Sequence, residues 1–158
     1  MKPNPSIEWH SYHFDQLSTQ LLYQILKLRV DVFVVEQNCP YPELDDKDTQ
    51  AESIHLVGLV DGELAAYCRV LAANISYGSP SIGRVVVSQA ARQMKLGHQL
   101  IERAVQLCEQ SWPGVKTIEI GAQQHLEHFY AQHGFIASSE MYLEDGIPHI
   151  DMLRRHPV

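Results

Sequence analysis

The sequence predicts an α/β protein in which a mixed central sheet is flanked by helices, and three observations carry that prediction. A β-branched run, Val85-Val86-Val87, breaks into a polar turn and then opens an amphipathic helix. Strand-like runs with a period of two lie on both sides of it, separated by helical stripes with a period near 3.6. At 158 residues, 45% hydrophobic and 20% charged, the chain fits one domain, residues 1–158, large enough to bury a single core without disulfide staples.

The elements follow in order. Residues 7–12 alternate large apolar and polar side chains and read as a first strand. Leu21, Leu22, Ile25, Leu28, Val32 and Phe33 then recur at helical spacing, with Asp15 or Ser18 as N-cap, and the helix is expected to run to about Val34. Asn38-Cys39-Pro40-Tyr41-Pro42 ends it, and residues 43–52 form an acidic loop. Residues 55–60 and 63–71 are strands joined by Asp61-Gly62, a dipeptide suited to the positive φ angles of a type I′ hairpin turn. Residues 82–88 form the next strand. The stripe Leu96, Leu100, Ile101, Ala104, Val105 and Cys108 makes a helix that Trp112-Pro113-Gly114 terminates. A strand at 117–121, a short helix at 126–133 ending at Gly134, and two strands at about 135–143 and 149–153 complete the chain.

Composition narrows the function. A formal net charge of −7 disfavours a surface for nucleic-acid phosphates. No apolar run approaches the roughly 20 residues of a membrane span. The first six residues have a lysine but no apolar segment behind it, so they do not read as a signal peptide, and a cytoplasmic location is expected. Cys39, Cys68 and Cys108 are odd in number, widely spaced and without a C-x-x-C pair, which argues for free thiols. Homodimer formation is left open.

The turn after Val87 is the most informative stretch. At a helix start the first N–H groups lack intrahelical partners and the peptide dipoles leave partial positive charge, so an anion can take those hydrogen bonds. About thirty residues later, Phe129-Tyr130-Ala131-Gln132-His133-Gly134-Phe135 places a phenol on a short helix that stops at a glycine before a new strand. This ordered pair resembles the acetyl-CoA-binding core of the GNAT N-acyltransferases. The stretch 28–41, with Gly83-Arg84-Val85, Gly121-Ala122-Gln123 and Asp145-Gly146-Ile147-Pro148-His149, is similar to the ElaA-like subgroup of that superfamily.

The resemblance implies a single-domain GNAT fold with acetyl-CoA as cosubstrate. Val85, Val86 and Val87 would lie along the pantetheine arm, with the main chain of Val85 and Val87 pairing with its amides as an added strand would. Arg92-Gln93-Met94-Lys95-Leu96-Gly97-His98 would take the pyrophosphate, and Gln123 would contact the cofactor or its strand. Arg92 and Gly97 match the family pattern, but Lys95 stands where glycine is usual. A lysine there either adopts ordinary helical backbone angles or adds a positive charge near the pyrophosphate. Tyr130 matches the family tyrosine that protonates the departing thiolate, and a phenol with a reference pKa of about 10 suits that role. Its other reading is a boundary aromatic with a satisfied hydroxyl.

An attacking ammonium must first lose a proton. Glu36, Glu119 and His149 are the candidate bases, with Arg29 as an alternative salt-bridge partner that would make Glu36 structural, and with a structural role open for His149. Glu43, Asp45, Asp46, Asp48 and Glu52 read first as a solvated acidic loop and second as a lure for a cationic amine. The expected activity is acyl-CoA-dependent N-acyl transfer, with acetyl passing from acetyl-CoA to an amine acceptor by direct attack. Acyl-homoserine-lactone-synthase-like transfer and a non-catalytic acyl-CoA-binding or regulatory module are the alternatives.

Overall fold

A computed structural model describes residues 6–156. Eight strands alternate with helices: β1 (Ile7–His13), α1 (Thr19–Arg29), β2 (Ser53–Val60), β3 (Glu63–Leu71), β4 (Ser81–Val87), α2 (Leu96–Ser111), β5 (Thr117–Gln123), α3 (Glu127–Ala131), β6 (Ile136–Ala137), β7 (Tyr142–Glu144) and β8 (Ile147–Arg155). They form a mixed sheet in the order β1-β2-β3-β4-β5-β8-β6, with β7 paired to β8. Among the described residues no helix is long and apolar enough to cross a membrane. The chain divides into two compact units. One takes the chain through Arg69 together with Arg84–Leu100, and the other takes Val70–Gly83 and the chain from Ile101 onward.

In the first unit, β1 runs antiparallel to β2, from Ile7 opposite Val60 to His13 opposite Ile54. Ser18 is the N-cap of α1, its Oγ accepting from the Leu21 N–H at 3.0 Å. The apolar stripe of α1 supplies Ile25 to a buried cluster with Val57, Tyr67 and Val86, against which Leu21, Leu28, Val32 and Phe33 pack. The α-helix stops at Arg29, and residues Val30–Glu36 continue as a π-helix, where a single α-helix to about Val34 was expected. The wider turn shows in the bonds from Gln37 N–H to Val32 O and from Cys39 N–H to Val34 O, each spanning five residues at 3.0 Å. Asp61 and Gly62 have φ of 51° and 81°, as a type I′ turn requires.

In the second unit, β5 and β8 are antiparallel from Thr117 opposite Arg155 to Gln123 opposite His149. Parallel pairing of β4 with β5 is recorded at Ser81 opposite Glu119, and the Glu119 N–H donates to Pro80 O at 3.0 Å. Ile118, Ile120, Ala122, Ile150 and Met152 are buried on one face of the β5 and β8 pair, and Phe135, Ala104 and Cys108 of the same unit are also buried. Three strands close the chain where two were expected. Ser138 N–H donates to Asp151 O and the Ser139 hydroxyl accepts from Asp151 N–H, so a side chain replaces the ladder there and ends β6. A second Asp-Gly turn, Asp145 at φ 50° and Gly146 at 79°, then joins β7 to β8.

Candidate active site

The first unit holds the turn that the sequence assigns to pyrophosphate. Gln89–Met94 form a 3₁₀ turn, and α2 starts at Leu96. Between them Lys95 has φ 55° and ψ 42°, the left-handed conformation, which excludes the first of its two readings, ordinary helical angles. The backbone at 95 therefore bends as it would with a glycine, while a side chain is retained. Leu96 is buried, Met94 and Gly97 are half-buried, and Arg92, Gln93, Lys95 and His98 are exposed. Val86 faces the core, whereas Val85 and Val87 are half-buried. Just before them Arg84 also has a positive φ, of 51°. The neighbouring Gly83 does not take that conformation, so the irregularity in β4 is held by a side chain with partners and not by a glycine.

Those partners overturn two expectations. Glu36, at the end of the π-helix, accepts from Arg92 Nη2 at 2.7 Å and is not the partner of Arg29. Arg29 is fully buried, with Nε donating to Glu43 Oε1 at 3.0 Å and Nη1 to Asp48 Oδ1 at 2.6 Å. Arg69 donates to Asp45 Oδ1 and Oδ2, both at 2.8 Å, and to Asp48 Oδ1 at 3.0 Å. Arg84 Nε lies 2.8 Å from Glu43 Oε2. Glu43, Asp45 and Asp48 are therefore not the solvated acids of an open loop: these three carboxylates and three guanidiniums neutralise one another inside the unit, while Asp46 and Glu52 are exposed as expected. Burial opposes ionisation of Asp45, but the Arg69 hydrogen bonds win and hold it at about 2. Asp48 is lowered by the same balance, with Arg29 its main cation. Burial lowers His55, whose Nε2–H donates to Asp48 O at 3.0 Å while Nδ1 accepts the Tyr67 hydroxyl at 2.7 Å.

The second unit presents a polar face. Side chains alternate along a strand, so Glu119, Gly121 and Gln123 of β5 share one face with Leu153, Asp151 and His149 opposite them on β8. Two candidate bases and the candidate amide are thus brought to one surface. His149 is nearly buried and stacks on Tyr142, its cross-strand neighbour on β7, with ring centroids 6.0 Å apart. Its Nδ1–H donates to Ile147 O at 2.8 Å, which leaves Nε2 as the basic nitrogen, 3.4 Å from Glu144 Oε2. Tyr130 is buried on α3, edge-on to Phe129 and Phe135 at 5.1 and 6.1 Å. Its carbonyl accepts from the N–H groups of His133 and Phe135, and Gly134, at φ 87°, completes the helix end. All three cysteines are buried and none is in a disulfide, and burial pushes the Cys108 thiol up to about 12, far from the range of a nucleophile.

Sequence reasoning missed Tyr77, Tyr142, Glu144 and Asp151. Asp151 Oδ1 accepts both the Tyr77 hydroxyl at 3.0 Å and the Tyr142 hydroxyl at 2.7 Å. A usable signal was present, since Gly121-Ala122-Gln123 and His149-Ile150-Asp151 both set polar or small residues at alternate positions beside core residues, and a glycine inside a strand marks a close approach.

Comparison with known proteins identifies the family. A family model described as an acetyltransferase (GNAT) domain matches residues 28–155. The protein ElaA of Escherichia coli is 46% identical over 148 residues, covering 94% of this chain and 96% of that protein. The crystal structure of E. coli ElaA superposes with a TM-score of 0.88 at 44% identity, covering 95% of this chain and all of that one. An acyl-CoA N-acyltransferase from Pseudomonas aeruginosa gives a TM-score of 0.89 at 47% identity, covering 94% and 99%. A CoA-dependent acyl-homoserine lactone synthase, at 18% identity and TM-score 0.75 over 94% of this chain and 82% of that one, shares the fold alone. The chain belongs to the GNAT acetyltransferase family and is an enzyme of that family.

Proposed function

We propose that the protein transfers an acetyl group from acetyl-CoA to a primary amine by direct attack, acting as one catalytic domain. The observation that carries this reading is the His149 tautomer. With Nδ1–H committed to Ile147 O, the Nε2 lone pair stands beside Glu144 on the polar face, where it can take a proton from an ammonium. Glu119, on the same face, is the alternative base. The carboxylate of Glu36 is already bonded to Arg92, so in this reading it sets the guanidinium of the pyrophosphate turn and does not remove the proton.

The roles follow from elementary demands. N–H groups at the start of α2 and the Arg92 guanidinium favour the pyrophosphate. The main chain of Val85 and Val87 pairs with the pantetheine amides. The amine nitrogen forms a bond to the thioester carbon, a main-chain N–H near Val87 receives the developing oxyanion, and the C–S bond then breaks. Tyr130 gives its phenolic proton to the sulfur. The burial of all three thiols, with Cys108 raised by it, supports direct attack over an acyl-enzyme.

The test is thiol release from acetyl-CoA against a panel of amines, with the acetylated product identified by mass spectrometry and CoA binding followed by melting temperature. Amine-dependent release is expected, together with a CoA-dependent stabilisation of about 2.7 kcal/mol at a hundred times Kd. Binding of CoA without release for any amine would make the chain a binding module. Preference for an acyl-carrier-protein thioester would favour synthase-like chemistry.

A further inference from the structure

Asp151 differs from the carboxylates of the first unit in that its side-chain partners are two neutral phenols and not guanidiniums. One oxygen, Oδ1, accepts two phenols, and Oδ2 accepts no hydrogen bond from the described residues. Burial, and then the bond to Asp151, raises the Tyr77 and Tyr142 hydroxyls, so both stay protonated donors. Gly121 stands opposite Asp151 and is exposed, and a Cβ there would lie 2.8 Å from Tyr77 Oη and 3.1 Å from Tyr142 Oη. Only a bare backbone leaves room for the two hydroxyls over β5. The two phenols thereby fix the half-buried carboxylate through Oδ1 and leave Oδ2 to a further donor, which suits a receptor for a cation. His149 lies two residues away on the same face, about 7 Å along the strand.

We propose that Asp151, clamped by Tyr77 and Tyr142 over Gly121, holds a second, non-reacting ammonium of the acceptor, which makes that acceptor an aliphatic diamine. The first nitrogen reaches His149 and loses its proton, and the second keeps its charge at Asp151. A separation of roughly 6–8 Å between the nitrogens matches the strand rise. The inference rests on acetyl transfer to an amine on this face, but its test reads binding without turnover.

Calorimetric titration of the full chain with 1,4-diaminobutane and with butylamine is decisive. In the wild type the diamine should bind about tenfold more tightly or better, as expected for one added charge-assisted contact. In Asp151→Asn that advantage should collapse to within about twofold, and Tyr142→Phe should reduce it partly. Equal affinities in the wild type, no binding of either amine, or an advantage that survives in Asp151→Asn would overturn the proposal. If Asp151→Asn does not fold, the ratio in Tyr142→Phe, which keeps the ring and removes one clamping hydroxyl, decides in the same way. Thiol release with the same two amines separates the two claims, because binding with the predicted ratio but no release contradicts acetyl transfer and leaves the diamine subsite standing.

Discussion

The two units treat carboxylates in opposite ways. In the first, Glu43 and Asp48 are buried and every acidic oxygen that the network uses meets a guanidinium or a hydroxyl, including Glu43 Oε2, which accepts from Tyr41 at 2.7 Å. In the second, Asp151 accepts from two neutral phenols, and His149 Nε2 faces the Glu144 carboxylate at 3.4 Å. The richer concentration of charge is therefore the structural one. A carboxylate matched by guanidiniums holds the chain in place, and one matched by neutral hydroxyls keeps a charge that can still bind a cation.

The comparison breaks most visibly at Asp48. Asp48→Ala removes the partner of Arg29 Nη1 and of Arg69 Nη1, and leaving buried guanidiniums uncompensated should lower stability by about 3–5 kcal/mol. Urea denaturation measures it. A loss below about 1 kcal/mol, the scale of an exposed pair, would show that the network is solvated after all.

Acid should find the first unit in two stages. His55 is held below its ordinary value, so the unfolded chain takes up a proton first and stability falls as pH drops below about 6.5. Asp45 at about 2, with Asp48 also lowered, adds stability that is complete above about pH 4 and lost as pH falls toward 2. Urea midpoints across that range should show both declines, and His55→Gln should remove the upper one alone. A midpoint unchanged between neutral pH and about pH 5 would contradict the His55 assignment.

A smaller effect sharpens the backbone argument. Lys95 occupies a left-handed conformation that costs a non-glycine residue about 1 kcal/mol, so Lys95→Gly should raise the melting temperature slightly. A lower melting temperature would mean that the lysine side chain makes a compensating contact.

What the sequence disclosed was local. Ser18 as a cap, Asp61-Gly62 as a hairpin turn and Gly134 as a helix end depend on neighbours within a few residues, and they are where the pattern placed them. Asp145-Gly146 carries the same turn signal as Asp61-Gly62, yet Pro148 and the broken apolar alternation around it hid the short strand β7. Arg84 and Lys95 take positive φ for reasons that no local rule supplies, since for Arg84 the ion pairs with Glu43 and Asp45 come from some forty residues away. The partners of Arg29 and Glu36 were likewise misjudged, because nearness in sequence favoured each other over Glu43, Asp48 and Arg92. The candidate bases were legible as residue types. The face that gathers Glu119, Gln123 and His149 with Asp151 required the register of β5 on β8.

The proposed donor of a proton to sulfur is Tyr130 of the second unit, whose ring packs edge-on against Phe129 and Phe135. Tyr130→Phe keeps that ring and removes only the hydroxyl, so kcat for amine acetylation under saturating acetyl-CoA tests the claim directly. A fall of roughly 10²- to 10⁴-fold with CoA affinity nearly retained is expected. A kcat equal to the wild type in a variant that melts at the same temperature would contradict it and leave Tyr130 a packing residue.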